Sequence, residues 1–217
     1  MIATSRRHLL FDALTLLLLV GALWISWLPG SRVRVEVERF LKDRRSVAGI
    51  RKGWEEALKS GSVIGGGEGS LTVLEIADYE CPYCRSSFAA VDSAIAQGIR
   101  VVYLHYPLKT HTHAMGAAVA ATCAESQGRF VEMHRALMTT SDWQKDADWM
   151  REASRAGVGD LSAFQACIDS RAARARVEAH MALAVAAGID GTPMFATKSA
   201  VHRGALSALT LDSLARK

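Results

Sequence analysis

Apolar positions change their period along this chain of 217 residues. A nearly unbroken apolar run extends from Leu9 to Leu28, interrupted mainly by Asp12 and preceded by Arg6 and Arg7. Its length is about what a bilayer crossing requires, and the positive flank predicts a cytoplasmic N-terminus. From Ser31 the pattern becomes mixed. Val33, Val35 and Val37 alternate with charges, and Arg39 to Leu58 then reads as an amphipathic helix through Phe40, Leu41, Val47, Ile50, Trp54 and Leu58. Gly65-Gly66-Gly67-Glu68-Gly69 reads as a flexible breaker. Leu71 to Ala77 is strand-like, Arg85 to Gln97 is helix-compatible, and Ile99 to Tyr106 is a β-branched and aromatic run ended by Pro107. A strand, a helix and a strand in that order make a parallel β-α-β unit.

Helical periodicity then takes over from about Thr112 to Ala187. The predicted helices are Ala114–Ser126, Phe130–Met138, Asp146–Ala156, Leu161–Ile168 and Ala172–Ala187, with Gly128, Gly157 and Gly188 as stops. Met194–Lys198 and Ala200–Arg203 form a closing hairpin, and Leu206–Ala215 a final amphipathic helix. The expected organisation is therefore residues 1–28 as a signal anchor, 29–69 as a linker carrying an amphipathic helix, and 70–217 as one α/β domain. Residues of about 112–187 are a helical insertion in that domain. The run at Trp24-Ile25-Ser26-Trp27-Leu28-Pro29 lacks a small-x-small cleavage site, so an uncleaved anchor is preferred over a cleaved signal peptide. Ser5-Arg6-Arg7-His8-Leu9-Leu10 also has the form of a twin-arginine signal, but an ordinary charged flank suits the Leu-rich core better.

Composition adds little to this. A net charge of +4 is modest and forms no basic stripe interleaved with aromatics, so nucleic acid is not an expected partner. The four cysteines matter more. Cys81-Pro82-Tyr83-Cys84 falls at the junction of the first domain strand with its helix. At a helix start, unpaired N–H groups and the positive end of the dipole stabilise a thiolate, the reactive form of cysteine. Cys81 is thus the candidate nucleophile and Cys84, one turn on, the resolving thiol. Pro82 suits the first turn, where an N–H is not needed. A zinc half-site would require a second ligand pair, and Cys123 and Cys167 are isolated in sequence. They lie in different predicted helices and are either a second, structural disulfide or two buried thiols. Closing a loop of that size is worth on the order of 4 kcal/mol in the chain-entropy treatment.

Downstream, Gly191-Thr192-Pro193 precedes an apolar strand, which suggests a cis-proline loop beside the Cys81 sulfur. Its Thr192 backbone is placed to pair with an extended substrate chain. Glu80 is either a modulator of the Cys81 thiolate or an exposed flank residue. His111-x-His113 is a weak metal half-site without a third ligand, better read as solvated or capping the next helix.

Taken together, Asp78-Tyr79-Glu80-Cys81-Pro82-Tyr83-Cys84, Tyr106-Pro107-Leu108, His111 to Ala114, Gly128-Arg129-Phe130-x-Glu132-Met133-His134 and Gly191-Thr192-Pro193-x-Phe195 resemble the DsbA-like thiol–disulfide oxidoreductases. The resemblance covers Val63 to the C-terminus. It implies a thioredoxin fold with a helical insertion, Cys81 and Cys84 as the redox pair, and Thr192, cis-Pro193, Pro82 and Tyr83 as the substrate-binding surface. It implies a Cys123–Cys167 bridge in part of the family, and a packing role for His134. No cofactor or metal is implied. The expected partners are cysteine-containing exported proteins, a membrane redox partner that recycles the disulfide, and the inner membrane, with the catalytic domain in the periplasm. Pro82-Tyr83 departs from the Pro-His dipeptide of the strongest oxidants, which leaves the oxidising strength open; Thr192 before the proline and a helix at Arg39 to Leu58 that could pair two copies make a disulfide isomerase or reductase the alternative enzyme. A thiol copper chaperone is the non-enzymatic one, with Met194 as its only soft ligand near the pair.

Overall fold

The computed structural model describes residues 14–24, 27–67, 71–207, 210, 213 and 214. They divide into two compact units, residues 1–44 and 45–217. In the first, residues 14–24 are helical (α1) and a second helix, α2, begins at Arg32. The expected membrane-spanning run, Leu9–Leu28, lies partly outside the described residues. Among the described residues no helix is long and apolar enough to cross a membrane.

The α2 helix spans Arg32–Ser60 and ends within the second unit. The strand-like alternation at Val33, Val35 and Val37 is therefore inside a helix, and the amphipathic segment read at Arg39 to Leu58 is its continuation. The sheet has five strands in the order β1-β3-β2-β4-β5: β1 (Ser62–Gly65), β2 (Thr72–Ala77), β3 (Arg100–His105), β4 (Met194–Ala196) and β5 (Val201–Arg203). The β2 and β3 strands run parallel from Thr72↔Arg100 to Ala77↔His105, as the β-α-β pattern predicts, with α3 (Pro82–Ala96) as the crossover. The other three pairings are antiparallel.

Between β3 and β4 lie α4 (Ala114–Glu125), α5 (Phe130–Thr139), α6 (Trp143–Asp146), α7 (Trp149–Arg155), α8 (Leu161–Asp169) and α9 (Arg171–Ala186). The helix expected over Asp146–Ala156 begins later, at Trp149, because Ala147 adopts a left-handed conformation (φ 51°) that separates it from the short α6, and Asp148 caps α7 by accepting from the Arg151 N–H. Half of the expected C-terminal helix lies outside the described residues.

Strand alternation explains the two layers of core. Val73, Ala77, Val101, Tyr103 and Phe195 point to one face and pack with α3 and the inserted helices. Leu74, Ile76, Val102, Leu104, Met194 and Ala196 point to the other, where Ile50, Trp54 and Ala57 of α2 cover them together with Ala184 and Ala187. With both faces covered, β2 and β3 read as near-continuous apolar runs. The stretch expected as a linker with an amphipathic helix, residues 29–69, therefore contributes its helix to the domain. The second half of α2 covers one sheet face together with Ala184 and Ala187, and β1 is an edge strand of the sheet.

Candidate active site

Asp78 directly follows β2 and opens a tight turn. Its carbonyl accepts the Cys81 N–H at 3.2 Å, and its Oδ1 accepts the Glu80 N–H at 2.7 Å. The turn delivers Cys81 to the N-cap position of α3 in extended conformation (φ −69°, ψ 120°), with Pro82 in the first turn and no side-chain cap. The helix's first N–H groups are therefore free to face the Cys81 sulfur. Cys84 is fully buried one turn on, and its sulfur accepts the Asp78 N–H at 3.5 Å. Both cysteines are free thiols. Pro82 and Tyr83 lie exposed beside them, Tyr83 at 65%.

The second half of the site arrives through the sheet. The antiparallel register Ile76↔Met194 sets the start of β4 against the end of β2, so the residues before Met194 sit next to the cysteine turn. The Thr192–Pro193 bond is cis. The Cys81 Sγ lies 3.6 Å from the Thr192 carbonyl oxygen, to which the thiol donates. The Thr192 hydroxyl is buried beside the sulfurs, and its side chain lowers both thiols. The Pro193 carbonyl is taken by the Gly204 N–H of the hairpin end, which fixes the loop from behind.

These surroundings split the two thiols. A hydrogen bond from Cys84, then Thr192 and the Cys84 and Tyr83 N–H groups, hold the Cys81 thiol down to about 5 against the opposing effect of burial. Burial first, and the shared hydrogen bond second, push the Cys84 thiol far up. Cys81 is the thiolate and Cys84 the thiol.

Three residues beneath the pair were not identified from sequence. Glu75, in the middle of β2, is 2% exposed, and burial raises its carboxyl to about 8. Its Oε2 and the hydroxyl of Tyr103, its register partner on β3, are buried without hydrogen-bond partners among the described residues. The Tyr103 phenol is pushed up by burial and further by the charges of Tyr79, Glu75, Cys84 and Asp78. Tyr79 stacks on Tyr103 with ring centroids 5.2 Å apart, and its hydroxyl is 3.3 Å from His134 Nδ1. The available signal for Glu75 was an acid inside a strand whose neighbours are all apolar.

The remaining sequence candidates are structural. Glu80 does not contact the Cys81 sulfur in any hydrogen bond found; its Oε2 accepts the His113 N–H at 2.7 Å and ties the turn to the start of α4. His111 Nδ1 is 2.7 Å from Asp78 Oδ2. His134 is buried among aromatic rings, and burial lowers it to about 3. Cys123 and Cys167 form a disulfide joining α4 to α8, with Cα atoms 5.7 Å apart. Met194 faces the α2 side of the sheet, away from the layer that holds Cys81, so it supplies no soft ligand there. Among the described residues no group of three or more His, Cys, Asp or Glu is placed to hold a metal.

Comparison with known proteins agrees with this geometry. A 156-residue stretch is 35% identical to a protein named Na(+)/H(+) antiporter NhaA 3 of Salinispora tropica, over 68% of this chain and 24% of that protein. The chain thus spans about a quarter of the length of the curated relatives it matches. Among solved structures, a thioredoxin-like oxidoreductase from Silicibacter pomeroyi is 31% identical with a TM-score of 0.66, covering 72% of this chain and 91% of that one. The thiol–disulfide exchange protein α-DsbA2 of Wolbachia pipientis shares the fold, with a TM-score of 0.70 at 18% identity over 81% and 97% of the two chains. Residues 58–215 match the thioredoxin family, and the chain belongs to it.

Proposed function

We propose that the chain oxidises thiols of exported proteins in a bacterial cell envelope, using a Cys81–Cys84 disulfide. The observation that carries this is the separation of the two thiols, with Cys81 held down to about 5 and Cys84 pushed far up. A stabilised Cys81 thiolate favours the dithiol form, which makes the disulfide a strong oxidant and Cys81 a good leaving group.

The reaction consists of two exchanges. A substrate thiolate attacks Cys81 Sγ, the Cys81–Cys84 bond breaks, and the electron pair leaves with Cys84, which takes up a proton. Glu75, still protonated at neutral pH, is the buried acid on hand to supply it. A second substrate thiolate then attacks the substrate sulfur of the mixed disulfide and releases Cys81 as thiolate. The substrate loses two electrons and the cysteine pair gains them. Thr192, cis-Pro193, Pro82 and Tyr83 form the surface against which the substrate chain lies.

The apolar run from Leu9 to Leu28, behind Arg6 and Arg7, supports an uncleaved anchor in the inner membrane with the domain on the periplasmic side. A membrane-bound redox partner would then return the pair to the disulfide. The deciding measurement is the reduction potential of the Cys81–Cys84 couple. A value near about −120 mV is expected; one near the roughly −270 mV of thioredoxin overturns this reading in favour of a reductase or isomerase. Membrane fractionation with external protease on spheroplasts tests the location, and a domain protected from protease refutes it.

A further inference from the structure

Asp78 touches the redox pair with its main chain and a histidine with its side chain. Its N–H donates to Cys84 Sγ and its carbonyl accepts from the Cys81 N–H. Its carboxylate has no exposed surface. Three N–H donors converge on its two oxygens: the Glu80 N–H at 2.7 Å on Oδ1, then the Leu108 N–H at 2.8 Å and His111 Nδ1 at 2.7 Å on Oδ2. Such a set of donors suits an acceptor-only carboxylate, so Nδ1 carries the proton and Nε2 is the nitrogen left for solvent. Two of the donors are backbone; His111, on the partly exposed loop after β3, is the one side chain among them. Glu80, the other acid of the turn, is occupied by the His113 N–H.

The turn that this carboxylate closes carries the Asp78 N–H on Cys84 Sγ and the Asp78 carbonyl on the Cys81 N–H, so each donor that fixes the carboxylate also fixes where the two sulfurs sit. We propose that His111 is a positioning residue for the redox pair, holding the Asp78 turn, and through it the hydrogen bonds at Cys84 and Cys81, by its Nδ1–H hydrogen bond. The proposal rests on the reading of Cys81–Cys84 as the exchanging pair and adds to it a residue that touches neither sulfur.

The test compares the full chain with His111→Ala and His111→Asn. An asparagine amide can donate to Oδ2 from nearly the place of Nδ1 but carries no ring. Three readouts are taken: the Cys81 thiolate titration followed by its ultraviolet absorbance, the rate of oxidation of a dithiol peptide, and the melting temperature. Removing the donor in His111→Ala should shift the titration upward and slow oxidation roughly 3- to 10-fold, less than the full worth of a hydrogen bond to a charged group because the effect reaches Cys81 only through the Asp78 turn. His111→Asn should stay within about 2-fold of the parent, because the donor is what counts. The proposal is overturned if His111→Ala titrates and reacts like the parent, or if both variants fall equally. Should His111→Ala not fold, His111→Phe fills the space without a donor and takes its place. A parent chain that fails to oxidise the peptide sinks the redox reading instead, while the Cys81 titration still judges His111.

Discussion

The Cys81 sulfur lies 3.6 Å from the carbonyl oxygen of Thr192, a residue 111 positions later in the chain. That contact joins the nucleophile to the loop that receives substrate, but the largest influence on Cys81 comes from Cys84, whose hydrogen bond heads the causes that lower its thiol to about 5. Cys84→Ala should therefore raise the Cys81 titration. At pH 6 the reduced parent should react with iodoacetamide at its full thiolate rate, while Cys84→Ala should react about 10-fold more slowly or less. The sign follows from linkage: a depressed thiol stabilises the reduced fold fully above the unfolded value near 9, and that stabilisation is lost as pH falls through about 5. Equal rates at pH 6 would show that Cys84 does not hold the thiolate.

Glu75 has the opposite sign. Its folded carboxyl is raised to about 8 from 4.5, so between those values the fold keeps a proton that the unfolded chain has released, and stability falls as pH rises. Glu75→Gln should remove this dependence. At pH 8 the variant should be more stable by roughly 3–5 kcal/mol, with the difference vanishing toward pH 4. The same change should slow the first exchange about 10- to 100-fold, because the leaving Cys84 loses its proton source. Denaturant melts at several pH values, with rapid-mixing kinetics, read both; a variant that is neither stabilised nor slowed refutes the assignment.

What the sequence made legible follows from how local each feature is. The β2–α3–β3 unit and the cysteine turn are encoded by neighbouring residues, and β2 and β3 fall within one residue of the expected ends. The cis-Pro193 loop was readable because a Thr-Pro ahead of an apolar strand acquires meaning from the cysteines. β1 was missed because its glycines looked like a flexible breaker. Gly66 instead takes a left-handed turn at φ +85° where a Cβ would lie 2.4 Å from the Arg100 backbone, a requirement of close packing rather than of mobility. The roles of Glu75 and Asp78 depend on Tyr103, Leu108 and His111, which come from other parts of the chain, and residue identity alone does not name such partners.

The packing of α2 on the domain gives a paired test. A Cβ at Gly49 would come within 2.4 Å of the Ala187 backbone, while one at Gly53 would meet only the Leu183 side chain at 3.9 Å. Gly49→Ala should destabilise by about 1–3 kcal/mol through overpacking. Gly53→Ala should be neutral or stabilise by up to about 1 kcal/mol through helix propensity. Thermal melts separate the two, and equal behaviour would mean that residues 45–60 are not a fixed layer of the core.

The Cys123–Cys167 bridge is chemically separate from the active pair. It closes a loop across 44 positions between α4 and α8, and Cys123 is fully buried. The double substitution Cys123→Ala with Cys167→Ala should therefore cost about 2–4 kcal/mol through the freed unfolded chain. It should leave the Cys81 thiolate titration in place, since no group that shifts Cys81 belongs to α4 or α8. The same separation predicts an order of reduction. The Cys81–Cys84 disulfide yields a stabilised thiolate and should open first, under mild dithiol buffers. The α4–α8 bridge yields a buried thiol and should open only with unfolding. Mass spectrometry of alkylated samples along a redox titration reads both steps. Reduction of Cys123–Cys167 ahead of the active pair would mark it as a second exchanging disulfide instead of a brace for the helical insertion.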